Sequence, residues 1–206
     1  MKFRMMTIGA TRSGVVALSA LAAFGLAVAS AGAQISPPGA MSGDLYVAEQ
    51  DANTIEEFSP AGVDVGAFAS TGLNGPTGLA FDDRGNLYVS NINANTVREF
   101  SATGEDLGDF ASTGLSSPRG IAFDNRGNLY VANVTWIEEF SPTGVDLGVF
   151  ASSGLNVARG IAFDSRGDLY VANLGDNTIR EFSRTGEDLG IFANTGFLAP
   201  ALIAFD

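Results

Sequence analysis

A unit of fifteen residues, Arg119-Gly-Ile-Ala-Phe-Asp-Asn-Arg-Gly-Asn-Leu-Tyr-Val-Ala-Asn133, recurs as Thr77 to Asn91 and as Arg159 to Asn173. Its second half stands alone near the start, as Gly43-Asp-Leu-Tyr-Val-Ala48. Its first half stands alone at the end, as Ala201-Leu-Ile-Ala-Phe-Asp206. A repeat of this kind restricts the fold sharply. Each copy must be one supersecondary unit that hides its apolar surface against the copies beside it.

The full period is longer than the unit. Asp44, Asn86, Asn128 and Asp168 are equivalent, with spacings of 42, 42 and 40 residues, and each precedes Leu-Tyr-Val. Thr54–Phe58 is matched by Thr96–Phe100, Trp136–Phe140 and Thr178–Phe182. A Gly-containing turn and a segment ending at Phe68, Phe110, Phe150 or Phe192 follow. Each copy therefore carries four short runs rich in β-branched and aromatic residues, separated by Gly, Asn and Asp. Downstream of residue 34 no segment holds a helical period. Twelve of the 15 Phe fall at three repeat positions and all four Tyr at one, which marks them as core. In Leu87-Tyr88-Val89 the Leu and Val point one way and the Tyr the other, so both faces of the strand are apolar and both need a neighbour.

Composition removes several chemistries. The chain has no Cys and no His. Disulfides, thiolate metal sites, thiol nucleophiles, Ser-His-Asp triads and His-based zinc centres are thereby excluded. Acids outnumber bases 23 to 11. A charge of −12 argues against nucleic acid as a partner and favours plain solubility.

The first 33 residues read as a signal peptide. Lys2, Arg4 and Arg12 form a basic region, Val15 to Ala29 is free of charge, and Ala31-Gly32-Ala33 has the form of a cleavage site. Cleavage there makes Gln34 the first residue and the protein secreted or periplasmic, without membrane insertion. The competing role, a retained anchor, needs about 17 to 25 apolar residues. Residues 34–43, with Pro37-Pro38-Gly39, read as a linker, and residues 44–206 as the repeat domain.

The copies resemble NHL repeats of the secreted bacterial type. Pro118-Arg-Gly-Ile-Ala-Phe-Asp-Asn-Arg-Gly-Asn-Leu-Tyr-Val-Ala-Asn133 followed by Ile137-Glu-Glu-Phe140 is close to that family's pattern. The resemblance implies an all-β fold, a β-propeller of four four-stranded blades, with Thr77–Asp82, Arg119–Asp124 and Arg159–Asp164 as inner strands. The fourth inner strand is then Ala201–Asp206, pairing with residues 44–48 to close the ring. The alternatives are an open arc, or a fragment of a larger propeller, since such propellers more often have about six blades.

Candidate sites follow from the repeat. Asp82, Asp124, Asp164 and Asp206 end the inner strands. In a closed ring they face one another at one channel mouth, where Ca²⁺ is the cation such an oxygen set would take. The competing role is to cap the turns that follow, beside Arg84, Arg126 and Arg166. Arg119 and Arg159 precede inner-strand glycines and could hold a carboxylate or phosphate, or pair with nearby acids. Asn91, Asn133 and Asn173, with Glu49 in the first copy, could contact a ligand or support turns. Trp136 sits on a hairpin two residues shorter than its equivalents, where an aromatic can stack on sugar, anchor a partner or pack on the next blade.

Copies this uniform offer symmetry rather than the mixed residue types that converge on a reacting centre. The expected function is therefore non-catalytic: a binding or scaffold propeller for a protein or glycan that requires no cofactor, monomeric or self-associating through open edges. The alternative is a metal-dependent, lactonase-like hydrolase or a lyase at the central channel, although lyase members of related propellers rely on His.

Overall fold

The computed structural model describes residues 26–30 and 43–205, with strands and no helix among them. Four antiparallel four-stranded sheets follow one another along the chain. The first holds β1 (Leu26–Ser30), β2 (Leu45–Glu49), β3 (Thr54–Phe58) and β4 (Asp64–Ala69). The second holds β5 (Pro76–Phe81), β6 (Leu87–Asn91), β7 (Thr96–Phe100) and β8 (Asp106–Ala111). The third holds β9 (Ile121–Phe123), β10 (Leu129–Ala132), β11 (Ile137–Phe140) and β12 (Asp146–Ala151). The fourth holds β13 (Ala158–Phe163), β14 (Leu169–Asn173), β15 (Thr178–Phe182) and β16 (Asp188–Ala193). Within each sheet neighbouring strands lie in chain order. The close strand packing between sheets runs from β1 and β2 to β5, from β5 to β9, and from β9 and β10 to β13. The first strand of each sheet is thus the inner one.

The two-faced strand explains the packing. Tyr46, Ala48, Ile55 and Ala69 of the first blade meet Leu79, Leu87, Val89 and Phe100 of the second. The same residue types meet between the second and third blades, and again between the third and fourth. Phe100, Phe140 and Phe182 are fully buried by these contacts. Each such side chain contributes about 1.5–3 kcal/mol relative to exposure. Every tyrosine of the Leu-Tyr-Val strand lies edge-on to two phenylalanines. Tyr88 meets Phe110 of its own blade and Phe123 of the next, each at 4.9 Å between centroids.

The arrangement differs from the expected one at both ends. Leu26–Ser30, inside the segment read as a signal peptide, pairs antiparallel with Leu45–Glu49, from Leu26 opposite Glu49 to Ser30 opposite Leu45. The edge of β2 can receive one strand, so Ala201–Phe205 does not pair there and forms no strand. Each blade is continuous in sequence instead of one being split between the termini. The strand packing described above runs between successive blades, and the described residues form the open arc named as the alternative to a closed ring. The rest of the signal-peptide segment, the linker up to residue 42, and Asp206 lie outside the described residues.

Candidate functional site

The inner strands approach one another too closely for side chains at one position. A Cβ on Gly78 would collide with the Arg119 carbonyl, and one on Gly120 with the Arg159 carbonyl. Glycine is the residue that permits this approach. Gly120 N–H donates across the blade boundary to the Arg159 carbonyl at 2.9 Å. In the second blade Ser90 replaces the alanine of the other copies. Its buried hydroxyl donates to the Arg119 carbonyl and accepts from Gly78 N–H at 2.7 Å.

These contacts set Arg119 and Arg159 side by side at the same register of adjacent inner strands. Both are half-buried. The Nε of each is buried without a hydrogen-bond partner, and no ion pair to either is present among the described residues. Burial, and then the charge of Arg159, lowers the Arg119 pKa from the ordinary guanidinium value. Two partnerless guanidiniums in an acidic protein form a position where an anion would relieve repulsion and supply the missing acceptors.

The other half-buried arginines, Arg98 and Arg180, are engaged, whereas the exposed Arg84, Arg126 and Arg184 form no ion pair among the described residues. Arg98 donates to Asp106 through Nε at 2.7 Å and Nη2 at 2.8 Å, and to Asp109 through Nη1. The Arg98 hydrogen bond holds the Asp106 carboxyl below the usual carboxylate range. Arg180 forks onto Asp188 in the same way.

The inner-strand aspartates serve turns. Asp82 Oδ1 accepts from Arg84 N–H and Asn86 N–H, and Asp124 and Asp164 do the same in their copies. Asp164 also pairs with Arg166 at 2.9 Å. No group of three acidic side chains converges as a metal site among the described residues.

The three asparagines point into structure. Asn91, Asn133 and Asn173 are fully buried. Each accepts from a backbone N–H of the connector that leads into its own blade: Asn74, Ser116 and Asn156. Each also donates to a carbonyl of that connector, at Gly72, Gly114 and Gly154. They clamp the polypeptide between blades. Glu49, their counterpart in the first blade, is half-buried.

Trp136 is half-buried and donates Nε1–H to Glu138 Oε2 at 2.6 Å. Glu138 stands where Arg98 and Arg180 stand in their blades, beside Asp146. Burial raises its carboxyl pKa, and Asp146 raises it further, against the lowering effect of the Trp136 bond.

A latch was not anticipated from the sequence. Asn53, Asn95 and Asn177 sit at left-handed φ in the hairpin turn after the Leu-Tyr-Val strand. Their Oδ1 atoms accept from Gly75, Ser117 and Ala199 N–H, each 22 residues ahead, at 2.7, 2.7 and 2.6 Å. Each holds the entry to the next inner strand. The shortened hairpin with Trp136 has no such asparagine.

Neither a protein-family profile nor a curated protein matches the chain. Solved structures do. A chain of the nidogen/laminin complex is 21% identical, with 72% of this chain and 59% of that chain covered and a TM-score of 0.65. Virginiamycin B lyase from Staphylococcus aureus is 15% identical, with 78% and 55% covered and a TM-score of 0.62. A provisionally designated gluconolactonase is 16% identical, with 72% and 59% covered and a TM-score of 0.62. The chain spans between 55% and 59% of the length of these three structures, and the likeness gives it the β-propeller fold.

Proposed function

We propose that this protein is a non-catalytic binding propeller that takes an anionic group, a carboxylate or phosphate of a protein or glycan, between Arg119 and Arg159. The reading rests on one observation: these two arginines lie together, each with a buried Nε and no acidic partner among the described residues, while the other half-buried arginines, Arg98 and Arg180, are paired. A fork on each side suits bidentate recognition of a planar oxyanion. Engagement of Asp82, Asp124 and Asp164 by turn amides favours binding over the metal-dependent hydrolase alternative. The similar structures include both a complex and a lyase, so their fold does not decide between the two.

Calorimetric titration with a uronic-acid oligosaccharide, a carboxylate-rich peptide and a phosphopeptide tests the reading. Saturable binding of at least one, weakened by salt and at least tenfold weaker in Arg119→Ala/Arg159→Ala, is the expected result. No binding of any of the three, or binding unchanged in the double variant, overturns it. The same samples with Ca²⁺ or Mn²⁺ and a lactone report on the hydrolase alternative.

A further inference from the structure

The outermost strand of each blade, β4, β8, β12 or β16, has no strand beyond it among the described residues. In the second blade this edge carries Glu105 and Asp109, and in the fourth Glu187. Charge on an edge strand keeps other chains off it. The third blade has Val145 and Val149 in place of Glu105 and Asp109, with Leu147 between them. All three are more than half exposed. Apolar side chains gathered at an exposed edge mark a contact surface.

The charge beside this edge is reversed as well. In the second blade Arg98 pairs with Asp106 and reaches Asp109, which lies opposite it. In the fourth, Arg180 pairs with Asp188. Both Asp106 and Asp188 are half-buried. The third blade places Glu138 where these arginines stand, and its Asp146 is exposed, with no ion pair among the described residues. Glu138 is buried, accepts from Trp136 Nε1–H, and has Val149 opposite it in register. A Cβ on Gly114 would meet Asp146 Oδ2 and the Glu138 carboxyl, as one on Gly72 would meet Asp106 Oδ2 and the Arg98 guanidinium. Two carboxyl groups thus hold the place that an arginine–aspartate pair fills in the second and fourth blades. The first blade also has a glutamate there, Glu56, but Thr54 stands in for Trp136 and Ala67 for Val149. Of the four blades, the third alone joins an apolar edge, an uncompensated pair of carboxyls and an indole.

We propose that the outer edge of the third blade docks a basic segment of a partner protein, whose arginine or lysine pairs with Asp146 beside Trp136 while its flanking aliphatic side chains cover Leu147 and Val149. Charge selects this occupant. The incoming cation supplies what Arg98 and Arg180 supply inside their own blades, and an indole at its side adds a cation–π contact. A second copy of this chain fits badly, because it brings a net charge of −12 and its own Asp146 edge against this one. The register of β12 against β11 shifts at two places, so its edge is bulged. A bulged edge pairs poorly along its length, and recognition falls to side chains instead of a backbone ladder. The surface lies on an outer strand, apart from the inner-strand position of Arg119 and Arg159, and it takes the opposite charge.

Trp136 is the only tryptophan, so its fluorescence reports on this surface directly. The full chain is titrated with three short synthetic peptides: alternating arginine and valine, alternating arginine and serine, and alternating glutamate and valine. Saturable binding of the arginine–valine peptide, about fivefold or more tighter than either of the others, is expected. Asp146→Asn and Leu147→Ser/Val149→Ser should each weaken it about fivefold. Glu138→Arg, which copies the second and fourth blades, should abolish binding with unchanged far-UV circular dichroism. Arg119→Ala/Arg159→Ala should leave it unchanged, so that failure of this surface and failure of the anion position are told apart. The proposal is overturned if the arginine–valine peptide does not bind, if it binds no better than the other two, or if Asp146→Asn or Glu138→Arg binds it as the parent does. A dimer in light scattering that Leu147→Ser/Val149→Ser dissociates assigns the edge to a second copy and overturns it too.

Discussion

Tyr170 lies edge-on to Phe205, 4.9 Å between ring centroids and 67° between planes, although Phe205 belongs to no sheet. The pair repeats Tyr88 with Phe123, where both residues sit within blades. The ring contact is the same, while the cover over the phenylalanine is not, since Phe205 is 44% exposed. Phe123→Ala should cost about 3 kcal/mol in urea unfolding, and Phe205→Ala well under half of that.

Glu138 is the misplaced charge of the third blade. Its carboxyl pKa is raised by burial and by Asp146. A raised carboxyl contributes stability that is fully present below the unfolded pKa and lost as pH rises through the folded one. At pH 7 the ionised group is therefore a burden. Glu138→Gln, whose amide oxygen can still accept from Trp136, should stabilise the protein at pH 7 and change its stability by almost nothing near pH 4. Paired urea titrations at the two pH values measure the difference.

Asn133→Ala should destabilise by about 2 kcal/mol, because it strands Ser116 N–H and the Gly114 carbonyl without their partner. Asn91→Ala and Asn173→Ala should cost similar amounts. Hydrogen exchange should show the loss concentrated in the connector before each blade rather than at the asparagine itself.

Arg119→Met should leave the protein as stable as before or raise its stability by about 1 kcal/mol. It removes a partnerless guanidinium and the like charge facing Arg159. The same variant should bind anions more weakly than the parent. Stability gained together with binding lost is the pattern of a site held for function, and thermal melts beside calorimetry would show it.

Much of the fold was legible in residue order. Leu-Tyr-Val announced a strand with two apolar faces, and Tyr and Phe at fixed positions announced the blade contacts that Tyr46, Tyr88 and Tyr130 make. The occupant of the inner edge of the first blade was not legible. Backbone hydrogen bonding does not distinguish Leu26–Ser30 from Ala201–Asp206, and resemblance to the other copies favoured the second. The latch from Asn53 to Gly75 was missed because an asparagine in a turn is expected to bond its own turn. The constant spacing of 22 residues was a signal, but it has meaning only once the connector is known to double back. Arg119 and Arg159 were readable as candidates. That neither finds an acid depends on the three-dimensional arrangement.

The interchangeable blade contact bears on how such a chain can change in length. The face that the first blade offers to the second is the face that the second offers to the third and the third to the fourth. Duplication or deletion of one whole period, for instance residues 76–117, would bring together surfaces that already fit. Neither event would require new side chains at the junction. A gene encoding this architecture can gain or lose units by recombination between its own near-identical copies while the encoded protein keeps a packed interior at every step.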